Sequence, residues 1–352
     1  TGDKVNTRCT ILGSGRRRRH TSRCAKHGEY HHLMPDLKKD PEKFRAYFHL
    51  SPELFSKLVT MVTPATEKIH TNRREPITSE ERLAICLRFL ATGDSFATIG
   101  FNYCAIWDVL QPEYMPEPTM DDWKSIAEGF QARWNFPNSP PSSGSKYFTS
   151  VVDANYMFRV IDVDGYGRNS DGGILSESLL GKRLRAGTLS LPEDTSLQGA
   201  EDLGPMPHVL VADEAFPLQR HIMRPYRGRH LQRKQKVYNY RLSRARRIVE
   251  STFGVLSTQW RMYRRVLGIC PRKADSVVKA TCVLQNYMRQ NGEVERGMSV
   301  SPGTDNIRDA GLEPITQTGS NNSSREAASI REKYCDYFNS PAGEVPWQHQ
   351  IL

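Results

Sequence analysis

Between Arg241 and about Met262, the apolar residues Leu242, Ala245, Val249, Phe253, Leu256 and Trp260 recur at three- and four-residue steps. That is the stripe of a long helix with one face to bury. A helix of this length needs a broad second layer. The residues before it supply strands. Val151-Val152-Asp153, an Ala-Asn turn and Met157 to Val163 read as a hairpin, and His208 to Phe216 as a short apolar strand ending in two carboxylates. Between them lie a Gly-rich turn (Gly165 to Gly173) and a helix from Ile174 to Leu184. Strands alternating with helices make this part of the chain an α/β domain.

The 352 residues suffice for two domains of ordinary size. The sequence divides into a basic flexible tail (1–35), an N-terminal helical domain (36–134), the α/β domain (135–290) and a mostly disordered tail with a short terminal helix, IREKYCDYF (291–352). In the helical part, Phe44, Tyr47 and Phe48 share a face. Ser51-Pro52 caps a helix carrying Leu54, Phe55, Leu58 and Val62, and Thr78-Ser79-Glu80-Glu81 opens another that runs through Leu83 and Leu87 to Leu90. These helices need only bury one another. Around Ala274 to Met288 a further amphipathic helix is expected, and the composition of Asn135 to Ser145 predicts a loop.

No run approaches the ~18 apolar residues of a membrane span, so no membrane role is expected. Thr1 in place of Met, with no apolar signal core after it, has the look of a fragment or an incomplete gene model. Seven widely spaced cysteines argue against a secreted disulfide framework and for a reducing compartment. Cys24, His27, His31 and His32 have metal-like chemistry, but their spacing matches no zinc signature and a polar loop accounts for them. Arg16 to Arg19 read either as a nuclear-import or nucleic-acid tail or as a solvated run with no role.

Charge is more informative than composition. The net charge is +10, and the stretch from Ala215 to Val249 contains eleven basic residues and no acid. A solvated surface ordinarily mixes signs, so this segment predicts contact with a polyanion. Arg224, Arg227, Arg229, Arg233, Lys234, Lys236 and Arg244 are the candidate nucleic-acid-binding residues. Three carboxylates stand out beside it: Asp171 in the Gly-rich turn, Asp213 at a strand end and Glu250 on the long helix. Carboxylates that converge hold Mg²⁺ or Mn²⁺, and paired metals cut phosphodiesters by activating water. Each also has a plainer role. Asp171 can close its turn, Asp213 can cap the next segment, and Glu250 can pair with Arg246 or Arg247.

VVDANYMFRVIDVDGYGRNSDGGIL, PHVLVADEAFPLQRHIMRPY and YNYRLSRARRIVESTFGVLSTQWRMYRR resemble the catalytic domain of PIF/Harbinger transposases and their domesticated relatives, the DDE superfamily endonucleases. ERLAICLRFLATGDSFATI resembles the helical region ahead of it, and IREKYCDYFNSPAGEVPWQ the family's tail. The resemblance covers most of Gly28 to Arg289. It implies an RNase H-like fold, nuclear localisation, divalent-metal-dependent DNA cleavage and strand transfer, and a Myb-like partner protein for DNA recognition. It assigns catalytic and metal-ligand roles to Asp171 (S-x-D), Asp213 (strand-end A-D) and Glu250 (V-E-x-x-F). The chain departs from the family in two places. The strand carrying the first carboxylate in a D-G-x-H motif should follow WNFPN (Trp134 to Asn138), but SPPSSGSKYF stands there. A helix-turn-helix is missing near Ile99 to Cys104. Both losses have the form of skipped exons or deletions. The resemblance therefore implies an incomplete sheet and cleavage weakened by orders of magnitude. A domesticated, non-catalytic DNA- or partner-binding protein is the alternative, and a chain that does not fold stably is a third.

Overall fold

The computed structural model describes residues 29–67, 77–93, 102–139, 142–144, 149–163, 178–228, 230–265, 271–293 and 324–350. Residues 1–28 of the basic tail, the Gly-rich turn with Asp171, Arg229, and the polar stretch at 294–323 lie outside them. Residues 29–35, read from the sequence as the end of the flexible tail, are helical, because Met34 and Leu37 give them an apolar side to bury.

Among the described residues six helices come first: α1 (Glu29–Lys39), α2 (Pro41–Phe48), α3 (Pro52–Thr66), α4 (Ser79–Thr92), α5 (Asn102–Tyr114) and α6 (Met120–Trp134). Their starts follow the sequence. Ser51 Oγ accepts from the Leu54 amide and Thr78 Oγ1 from the Glu81 amide, satisfying amides that the first helical turn leaves open. Glu81 does not return the bond at Thr78, so that start is a simple cap; the reciprocal box forms instead at Thr119 and Asp122, opening α6.

The WNFPN segment turns the chain out of α6. Asn135 (φ 55°) and Asn138 (φ 52°) are both left-handed, a conformation asparagine tolerates. Between them Phe136 is driven into the interior with no exposed surface.

Two small sheets follow. β1 (Ser142–Gly144), β2 (Thr149–Val152) and β3 (Phe158–Asp162) form an antiparallel sheet in that order, with Ser142 opposite Val151 and Val151 opposite Val160. β4 (Leu210–Val211) and β5 (Ile222–Met223) pair in parallel. β1 also lies against β4, and the Val209 amide donates to Asn138 O at 2.8 Å. The segment that reads as a loop by composition thus supplies the edge strand beside β2 and a single backbone hydrogen bond next to β4. The hairpin between β2 and β3 is held by Asp153. Its carboxylate accepts from the Asn155 and Met157 amides (2.7 and 3.0 Å) and pairs with Arg159 at 2.7 Å.

The remaining helices are α7 (Leu179–Ala186), α8 (Arg233–Gln259), α9 (Pro271–Gln290) and α10 (Arg325–Phe338). α7 starts later than the sequence suggests, and α8 begins at Arg233, well before the first apolar residue of the stripe at Leu242. Arg, Lys and Gln are strong helix formers, and Val237, Tyr238 and Arg241 give this first part a buried face of its own.

Two cores result. The larger runs through α1 to α6, β2, β3, α8 and α9 without interruption, so the early helices do more than bury one another. α5 packs along α9, and Asn286 on α9 donates to Tyr114 O at 2.9 Å. The second joins Phe136, the strands β4 and β5, the front of α8 and all of α10's buried face, including Tyr334 and Phe338. The terminal helix is therefore an integral wall of the α/β part.

Candidate metal and nucleic-acid site

Asp213 follows β4, whose position is fixed by β5: the Ala212 amide donates to Met223 O at 2.9 Å. Its Oδ1 accepts from the Ala215 amide at 3.0 Å, closing a turn by the plain role available to a short acid. Its Oδ2 faces α8. There Arg246 places Nη1 at 3.9 Å from Asp213 Oδ2 and Nη2 at 2.9 Å from Glu250 Oε1. One guanidinium thus spans two carboxylates that are 37 residues apart in the chain. Glu250 is reached because Val249, one residue before it, is wholly buried and orients the helix. The Glu250 side chain is 55% exposed and that of Asp213 29%, so solvent reaches both.

The geometry brings together two of the three carboxylates expected from the sequence; Asp171 lies outside the described residues. Among the described residues no group of three His, Cys, Asp or Glu side chains is close enough to hold a metal ion. A pair of partly exposed hard oxygen donors on either side of one positive charge fits a cation such as Mg²⁺, which keeps several waters and takes one or two protein carboxylates.

The two acids of the β2–β3 hairpin, Asp153 and Asp162, are engaged elsewhere. Asp153 is engaged by its turn and by Arg159. Asp162 accepts from the Leu179 and Leu180 amides, holding the start of α7. β1 carries Ser142, Ser143 and Gly144 and no acid.

The basic segment folds into a mixed surface. Arg224 is buried, donates to Phe216 O at 3.1 Å and has its pKa lowered, chiefly by burial and then by Arg227. Arg244 is 5% exposed, with its guanidinium 5.8 Å from the Trp134 ring and 4.3 Å from that of Trp347. Neither presents itself to a phosphate in this conformation. Arg227 pairs with Glu214 at 2.9 Å. Lys234 pairs with Glu332 and, at 3.2 Å, with Asp336, which raises its pKa. Arg233 and Lys236 stand exposed on the first turns of α8. Charge segregated along the chain is not segregated in space: α10 brings the acids that the segment lacks.

Sequence reasoning passed over Arg241, which lies at the centre of this arrangement. It is 2% exposed and donates to Gly343 O and Gln348 Oε1, both at 3.1 Å, and to Asn135 O. Phe338 stacks at 4.4 Å. Burial pushes its pKa down to about 10, which still leaves it a cation at neutral pH. Its only sequence signal was a basic residue on an otherwise apolar face.

Residues 141–286 match the family model described as DDE superfamily endonuclease. Over those residues the chain is similar to DDE superfamily endonucleases. The match takes in β1 through most of α9, with Asp213, Arg246 and Glu250, and leaves α1 to α6 and α10 outside. Over 297 residues the chain is 23% identical to the protein ALP1-like of Arabidopsis thaliana, 71% of each chain being covered. The endonuclease domain and this relative together support the Harbinger transposase-derived nuclease lineage. No solved structure matches significantly. No helix among the described residues is long and apolar enough to cross a membrane.

Proposed function

We propose that the chain is a transposase-derived nuclease-like protein that holds a divalent cation, Mg²⁺ or Mn²⁺, with Asp213 and Glu250, helped by Asp171, and acts on DNA in the nucleus. The observation behind this is the convergence of Asp213 and Glu250 on one positive charge, from a strand end and a helix that are remote in sequence. A divalent cation there would polarise a phosphodiester oxygen and acidify bound water. The protein's own part is to orient the two carboxylates, through the Ala215 amide and the buried face of α8, and to bring phosphates near with the exposed Arg233 and Lys236.

Cleavage is expected to be weak. The position next to β2 is filled by a Ser-Ser-Gly strand, and the neighbouring acids Asp153 and Asp162 are committed to backbone amides. The same observation favours a second reading, a DNA-binding protein without strand cleavage. Recognition of a particular DNA sequence through a Myb-like partner belongs to the proposal as the family's expectation. Nicking of supercoiled DNA with Mg²⁺ or Mn²⁺ is the test. Metal-dependent nicking that vanishes in Glu250→Ala supports a residual nuclease. Binding that weakens with salt but is indifferent to Glu250→Ala supports the second reading.

A further inference from the structure

We infer that Arg246 is a built-in counter-ion that occupies the carboxylate pair until a divalent cation displaces it. The inference rests on the metal-site reading above and extends it to a residue that nothing else assigns.

The bond to Glu250 alone would be an ordinary helical pair. Glutamate and arginine four residues apart on an exposed helix gain only a few tenths of a kcal/mol. The second carboxylate changes its meaning. Asp213 comes from the end of β4, and its Oδ2 lies 3.9 Å from Nη1 while Glu250 Oε1 lies 2.9 Å from Nη2. Two carboxylates that approach one another repel when both are ionised, and a cation between them relieves the repulsion. The Arg246 side chain is 22% exposed, so it is drawn in along the protein while its head remains at the carboxylates.

This placement makes two demands on any incoming metal. Glu250 Oε1 is a donor oxygen the metal would need, and it is engaged. The charge that the metal would neutralise is also half neutralised already. Arg246 therefore competes with the divalent cation, and removing its charge should tighten metal binding. The arginine also lessens the mutual repulsion of the two like charges in the metal-free protein.

The test is direct binding of Mn²⁺ to the full chain, followed by the loss of the free-ion electron paramagnetic resonance signal, with no DNA and no turnover. Wild type is compared with Arg246→Gln, Arg246→Lys and Glu250→Gln, each checked for an unchanged circular dichroism spectrum. Arg246→Gln should bind Mn²⁺ about two- to fivefold more tightly than wild type, the scale set by one or two partly exposed ion pairs. Arg246→Lys keeps the charge and should stay near wild type, and Glu250→Gln should lose most binding. If Glu250→Gln abolishes binding while Arg246→Gln binds like wild type or more weakly, Arg246 is no competitor and the proposal falls alone. If wild type and all variants fail to bind Mn²⁺, the metal-site reading falls and takes the proposal with it.

Discussion

Trp347 lies with its ring 4.3 Å from the Arg244 guanidinium, and Trp134 holds the same cation from the side of α6. A residue that its sequence context marks for phosphate contact is thus sandwiched by the protein's own indoles. Arg241 repeats the arrangement one turn earlier, with Phe338 and Trp347. Trp347→Ala should cost about 2 kcal/mol, the sum of a partly desolvated cation–π contact and the lost apolar cover. Urea unfolding would measure it; a loss under about 0.5 kcal/mol, the range of unremarkable surface changes, would mean that the stack is incidental.

The acids of α10 set the apparent charge of the basic segment. Glu332 also accepts from Tyr226 Oη at 2.7 Å, a bond that glutamine can keep. The double substitution Glu332→Gln with Asp336→Asn should hardly change stability, because exposed pairs contribute little. It should release Lys234 and steepen the dependence of DNA binding on salt by about one unit of logarithmic slope. An unchanged slope measured by fluorescence anisotropy would remove Lys234 from the DNA-contacting set.

Asn286 closes the buried outer edge of β3 at Phe158. It accepts from the Phe158 amide at 2.9 Å and donates to Phe158 O at 2.7 Å, as a neighbouring strand would. Asn286→Ala leaves a buried amide and carbonyl unsatisfied and should cost about 2–4 kcal/mol. Asn286→Asp should be similarly harmful, since it loses the donor and buries a charge. Thermal unfolding of either variant within a degree or two of wild type would contradict this.

Stability should decline in alkali. Burial, and then the Glu332 carboxylate, push the Cys335 thiol up to about 11 from an ordinary value of 9.0. The neighbouring Tyr226 and Tyr334 phenols are raised chiefly by burial as well. A folded-state pKa above the unfolded one means the folded protein binds more protons in that window. The contribution is complete below pH 9.0 and is lost as pH rises through about 11. Melting temperatures between pH 8 and 11 should therefore fall, and fall less steeply in Cys335→Ala despite its lower starting point. Parallel curves for the two proteins would exclude the thiol as a source.

Local signals served well where local chemistry decides structure. Ser51 and Thr78 cap their helices because a hydroxyl three residues before an open amide needs no tertiary help. The hairpin at Asp153 and the stripe from Leu242 to Trp260 emerged where alternation and periodicity place them. The carboxylates were found as residues, and Glu250's pairing with Arg246 was visible at a four-residue spacing. What escaped depends on remote partners. The edge role of Ser142–Gly144 comes from neighbouring backbone and not from its Pro- and Ser-rich composition. The neutralisation of Lys234 comes from Glu332, 98 positions away. The front of α8 was missed because a basic stripe hides the burial of Val237 and Tyr238 from a reading by apolar periodicity alone.

The end of α9 reaches across the molecule. Tyr287 Oη donates to Leu54 O at 2.8 Å, and Glu293 accepts from the Ser51 amide at 2.9 Å, completing the start of α3. The α/β segment, excised and expressed by itself, would carry off one half of these clasps and bare the seam where α5 had lain. Proteolytic trimming or gene fragments that stop near residue 135 should therefore yield aggregates in place of a working module, and heat should melt the early helices and the strands in a single step.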